Sequence, residues 1–139
     1  MMTKTFPRIG EVYLVNLKGE GSVQVGLRPA VVFQNNVGNK HSPNVVVLPL
    51  TTSLKRLEMP THILVSAEDS GLARDSMVLC ENPQCVPKDQ LGRYLTTLPE
   101  HYMARIAAGS IMASGAISYM DLKAVVNLWQ QANNLNQAS

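Results

Sequence analysis

From Gly10 to Leu98 the chain is cut into short runs of β-branched and aromatic residues, each ended by Gly, Pro, Asn or Ser. The runs are "GEVYLVNL" (Gly10 to Leu17), "PAVVFQ" (Pro29 to Gln34), "VVVLPLT" (Val45 to Thr51), "THILVS" (Thr61 to Ser66), "SMVLCEN" (Ser76 to Asn82) and "LGRYLTTL" (Leu91 to Leu98). Each has the composition of a strand. Between them, "KGEGSVQVG" (Lys18 to Gly26) is a flexible glycine loop, "NNVGNKHSPN" (Asn35 to Asn44) a turn-rich loop and "SLKRLEMP" a polar one. Turn signals about 10 to 15 residues apart point to a small, strongly bent antiparallel sheet or barrel. Pro29 fits only the first position of its strand, and Pro49 argues for an edge or a bulge, because proline cannot donate to a ladder.

After Pro99 the pattern changes. Met103, Ile106 and Ile111, with alanines between, give a helical apolar face that Gly109 weakens. Asp121 is placed to cap a last helix, along which Leu122, Val125, Val126 and Trp129 recur at helical spacing. The final ten residues are expected to fray. The fold class is therefore mainly β with C-terminal helices (α+β), and no repeat or linker divides the chain.

The charge pattern narrows the function. Charged residues are 16% of the 139, apolar ones 45%, and the net charge is +2, too mild for a binder that works by bulk electrostatics. A small basic cleft fits, since Lys40, Lys55, Arg56, Arg74, Lys88 and Arg93 all fall in polar stretches. Cys80 and Cys85 form neither a disulfide framework nor a zinc pattern, and Cys80 reads as a core residue. His41, His62 and His101 lack metal spacing. No metal and no cofactor are expected. No signal peptide or membrane-length apolar run is seen, so a cytoplasmic protein is the expectation.

Polar residues at strand ends remain as a site. Arg28 precedes a strand; Thr51, Thr52 and Ser53 end one; Glu81 and Asn82 end another. An arginine grips a phosphate bidentately and stabilises charge that grows during its transfer, and a threonine hydroxyl donates to a further phosphate oxygen. The plainer alternative is that Arg28 pairs with a carboxylate at a loop base and Thr51 is an ordinary strand residue.

"RPAVVFQNNVGNKHSPNVVVLPLTTSLKRLEMPTH" (Arg28 to His62) closely resembles the MazF/PemK family of type II toxin–antitoxin toxins, and the likeness extends through "GEVYLVNL" and "GLARDSMVLCEN" (Gly71 to Asn82). The resemblance implies a small SH3-like antiparallel β-barrel at residues 1–122, followed by a C-terminal helical extension at 123–139. It implies a homodimer that cuts single-stranded RNA, mainly messenger RNA, without a metal, and a small antitoxin protein that blocks it. Arg28 and Thr51 match the family's catalytic arginine and threonine. Ser76, Glu81 and Asn82, with Thr52 and Ser53 beside Thr51, are the RNA-binding candidates. RNA carries its own nucleophile, the 2′-OH, so the implied products are a 2′,3′-cyclic phosphate and a 5′-OH. Two departures stand out: Val23 replaces an acid common in the glycine loop, and Gln84 stands where an arginine is common. Val23 leaves three alternatives open: another base such as Glu81 or a water, a reaction without a strong base, or reduced activity. The rival readings are a non-enzymatic toxin of the same fold that binds a protein such as gyrase, and a plain RNA- or protein-binding barrel. The latter would need exposed stacking aromatics, and most of the seven here (one Trp, four Tyr, two Phe) fall in strands or helices.

Overall fold

A computed structural model describes residues 5–18 and 26–138. Most of the glycine loop, including Val23, lies outside the described residues. The strands are β1 Glu11–Leu17, β2 Gly26–Val32, β3 Asn44–Thr51, β4 His62–Val65, β5 Ser76–Leu79, β6 Gln84–Pro87 and β7 Leu91–Thr97. The helices are α1 Asn36–His41, α2 Ala67–Ser70, α3 Glu100–Ser114 and α4 Leu122–Ala138. Every strand pairing is antiparallel, and the ladders run β4-β5-β3-β2-β1-β7 with β6 added to β3. The expectation of a strongly bent antiparallel sheet holds. The barrel is corrected in one respect: among the described residues the ladders form an open path, with β4 and β7 at its ends, rather than a closed ring.

β3 organises the sheet. One of its sides pairs with β2. The other pairs with β6 along Asn44–Val47 and then with β5 at Leu50 and Thr51. Pro49 stands where the second partner changes, so its missing N–H falls at a gap between ladders rather than on an outer edge. Pro29 is a correction. It is the fourth residue of β2, not the first, and it sits opposite Leu14 of β1. β2 gains β3 as a second neighbour only from Ala30 onward, so the strand is edge-like where the proline falls.

Alternation along these strands makes two cores, one on each face. Val12, Val31, Leu48, Leu50, Ile63, Val65 and Val78 form the first, closed over by Tyr102 and Ile106 of α3. Val15, Leu17, Ala30, Val32, Val45, Val47 and Val86 form the second. Cys80 packs in the first, as expected, and its burial pushes the thiol up to about 11, leaving it an inert apolar side chain at neutral pH.

Four elements differ from the expectation. β6 was not foreseen, because Pro83 and Pro87 frame a run too short to show alternation. α2 lay hidden in a polar stretch that Ser66 caps by accepting from the Asp69 N–H. α1 stands in what reads as a loop: Asn35 caps it by accepting from the Gly38 N–H, and buried Asn39 donates to the Gln34 carbonyl at 2.8 Å. The last helix is capped by Asp121 as expected, since Oδ1 accepts from the Lys123 N–H at 3.0 Å. It then stays helical to Ala138, where the tail holds no Gly or Pro to end it. Nor is it packed on the sheet: Leu122 is 70% and Trp129 65% exposed.

Gly109, a weak helix former, has a packing reason. A Cβ there would stand 3.0 Å from both the Pro60 carbonyl oxygen and the Cys80 sulfur. Replacing Gly by Ala in an open helix gains about 1 kcal/mol. In Gly109→Ala the neighbouring backbone must shift, and the gain is lost. The variant is expected to unfold at lower urea than wild type; a raised midpoint would show that α3 has room to move.

Candidate active site and an adjoining basic cleft

Arg28 comes from β2 and Thr51 from β3. β2 and β3 pair as Ala30 with Pro49, Val31 with Leu48 and Val32 with Val47. The ladder ends at Ala30 and Pro49, and by strand alternation Arg28 and Thr51, each two residues beyond that last pair, belong to the same face as the second core. Arg28 is half-buried. Thr51 is 7% exposed, and its Oγ1 accepts from the Ser53 N–H at 3.1 Å.

The opposite face of the same rim holds a cleft of about 350 Å³. Pro29 and Thr52, the chain neighbours of Arg28 and Thr51, line it, with Ser76 from β5. So do Arg74, from the loop before β5, and Arg93, from β7. Gly92 lets β7 pass close to β1, since a Cβ there would lie 2.6 Å from the Leu14 carbonyl oxygen. Sequence alone marked both arginines as polar-stretch cations but gave no sign that they converge.

Of the residues the sequence singled out, Arg28, Thr51, Thr52, Ser53 and Ser76 gather at this end, because Thr51 pairs with Met77 of β5. Glu81 and Asn82 do not. They follow the far end of β5, about four residues or roughly 13 Å along the strands. Asn82 donates its N–H to the Leu79 carbonyl in a turn. Glu81 is engaged by His62, whose Nε2 lies 2.6 Å from Glu81 Oε2 while Nδ1 faces the carbonyls of Lys55 and Arg56 at 3.1 and 3.0 Å. All three partners are acceptors, so the ring satisfies them by donating from both nitrogens, as the imidazolium does. Burial works against that charge, but Glu81 and the two carbonyls outweigh it and raise the His62 pKa. The pair ties β4 and β5 to the loop in which Arg56 adopts φ +54°.

The fold is that of a known class of small toxins. It matches MazF from Deinococcus radiodurans with a TM-score of 0.70 at 20% identity, over 81% of this chain and 99% of that one. It also matches an endoribonuclease from a mycobacterial species, solved in complex with its cognate antitoxin, with a TM-score of 0.66 at 30% identity, over 78% of this chain and 95% of that one. In sequence it is 38% identical over 100 residues to the endoribonuclease MazF of Staphylococcus epidermidis, spanning 71% of this chain and 83% of the relative. The family of PemK-like, MazF-like toxins of type II toxin–antitoxin systems matches residues 8–110, and the chain belongs to it. α4 begins beyond that match.

The His62–Glu81 pair makes stability depend on pH with a defined sign. A histidine whose pKa is raised on folding contributes stability that is fully present below about 6.5 and is lost as pH rises through the higher folded value. Glu81→Gln should therefore lower the urea midpoint more at pH 6 than at pH 9. An equal loss at both would mean that the ring is neutral when it meets Glu81.

Proposed function

We propose that this chain is the toxin of a toxin–antitoxin pair, an endoribonuclease that cuts single-stranded RNA through attack by the substrate's own 2′-OH. Residues 1–122 carry the activity, residues 123–139 form an extension, and a small antitoxin holds the protein in check. The observation that carries the reading is that Arg28 and Thr51 lie on one face of neighbouring strands, just beyond the last β2–β3 ladder pair. Family membership and relatives named as endoribonucleases support it.

The chemistry asks little of the protein. The 2′-oxygen attacks the adjacent phosphorus, the bond from phosphorus to the 5′-oxygen breaks, and a cyclic phosphate and a 5′-OH result. One proton leaves the 2′-OH and one reaches the 5′-oxygen. Arg28 binds the non-bridging oxygens, where charge builds in the phosphorane, and stands ready to protonate the departing oxygen. Thr51 fixes the phosphate through its hydroxyl proton and holds the 2′-oxygen in line. Val23 has no proton to exchange, and Glu81 is engaged with His62 away from the pair. In this reading water or a phosphate oxygen takes the proton from the 2′-OH. Among the described residues no helix is long and apolar enough to cross a membrane.

Arg28→Ala should reduce kcat/KM by about 10² to 10³, as for a lost oxyanion donor, with an unchanged unfolding midpoint. Thr51→Val should fall by less. The measurement is cleavage of a long single-stranded RNA in EDTA with the ends mapped. Discrete cuts with 5′-OH ends are expected, and a folded sample that never cuts would leave the protein-binding reading in its place.

A further inference from the structure

We infer that the Arg74–Arg93 cleft holds the nucleotide next to the cleaved phosphodiester, with its phosphate on the two guanidinium groups and its base on the apolar floor. The inference rests on the endoribonuclease reading of the Arg28–Thr51 pair.

The charges ask for an anion. Arg74 and Arg93 line one cleft, and among the described residues no carboxylate pairs with either. Two like charges in one concavity repel each other unless something negative lies between them. The nearest acid in sequence, Asp75, is committed elsewhere, since its Oδ1 accepts the Ala67 N–H at 2.8 Å. A guanidinium pair suits the non-bridging oxygens of a phosphate, and its fork geometry takes them bidentately.

The cleft is also built rather than incidental. Thr96 of β7 donates to the Ser70 carbonyl at 2.6 Å, which clasps the strand bearing Arg93 to the loop that leads to Arg74. Ser76, 4% exposed, donates to the Arg74 carbonyl at 3.0 Å and fixes that residue to the head of β5. Half-buried Leu72, Leu95 and Pro29 supply a floor wide enough for one planar base. At about 350 Å³ the space lies near the lower limit of small-ligand sites, so it admits one nucleotide and not a run of them.

Position selects the ligand. Pro29 and Thr52 line the cleft, while their chain neighbours Arg28 and Thr51 face the other side of the same strands. β2 lacks its β3 neighbour before Ala30, so no ladder joins the two strands at the rim between the two sites. A single-stranded RNA crossing it presents one phosphate to Arg28 and the neighbouring nucleotide to Arg74 and Arg93.

The test uses the full chain, the double variant Arg74→Ala/Arg93→Ala, and Lys123→Ala as a distant charge control. Binding of a random-sequence 2′-O-methyl oligoribonucleotide, which cannot be cut, is measured against salt. Removing both arginines should weaken binding at least tenfold and flatten the slope of log K against log salt by about one to two, while Lys123→Ala should leave both unchanged. In cut-site maps the double variant should lose its preference at one position beside the cut, with the loss falling mainly on KM. Unchanged affinity and slope in a folded double variant would overturn the inference, even if Arg28→Ala has abolished cleavage. So would a double variant that loses an acidic antitoxin but not RNA. If wild type binds the oligomer through the two arginines yet cuts no RNA, the endoribonuclease reading fails while the nucleotide site stands.

Discussion

The sheet depends on one strand being shared. β3 keeps β2 on one side and exchanges β6 for β5 on the other, and its side chains alternate between two separate cores. Ladder hydrogen bonds and apolar burial are thus committed through the same eight residues. Pro49, which would damage an ordinary central strand, falls at the exchange point and loses nothing. Thr51 closes the strand, so the candidate catalytic hydroxyl rests on backbone held by β5 through the Thr51–Met77 pair.

That placement divides the labour along β5. At its head, Ser76 lies with Thr51, Thr52 and the arginines. Beyond its tail, Glu81 meets His62 and secures the loop that connects β3 to β4. Acid and base at the tail neutralise each other, while at the head Arg74 and Arg93 face one cleft with no carboxylate paired to either among the described residues, which suits a polyanion.

Much of this was legible in the sequence for a physical reason. Strand runs and the Asp121 cap depend on local composition, and local patterns survive folding, whereas Arg28 and Thr51 were singled out as catalytic by the family resemblance. What was not legible depended on contacts across the chain. β6 has no alternation and two prolines, and exists because β3 offers it a free edge. The convergence of Arg74 and Arg93 follows from bulged β1–β7 pairing and a single side-chain clasp, neither of which has a period to detect. Gly109 looked like a flaw in a helix and is a point of close approach. α4 looked like an ordinary helix with one buried face, but amphipathic spacing does not guarantee that a surface is there to meet it.

The exposed α4 has a practical corollary. Its Trp129 is the chain's sole tryptophan and is 65% exposed, well away from either core. Indole emission from this protein therefore follows the fate of one peripheral helix. Loss of the sheet is reported instead by the phenols, above all Tyr102 within the first core and the edge-to-face pair of Tyr13 and Tyr94 across β1 and β7, whose ring centres are 5.8 Å apart. Two chromophores in one chain thus watch two different parts of it, and a mismatch between their melting curves measures how loosely the appendage is coupled to the body.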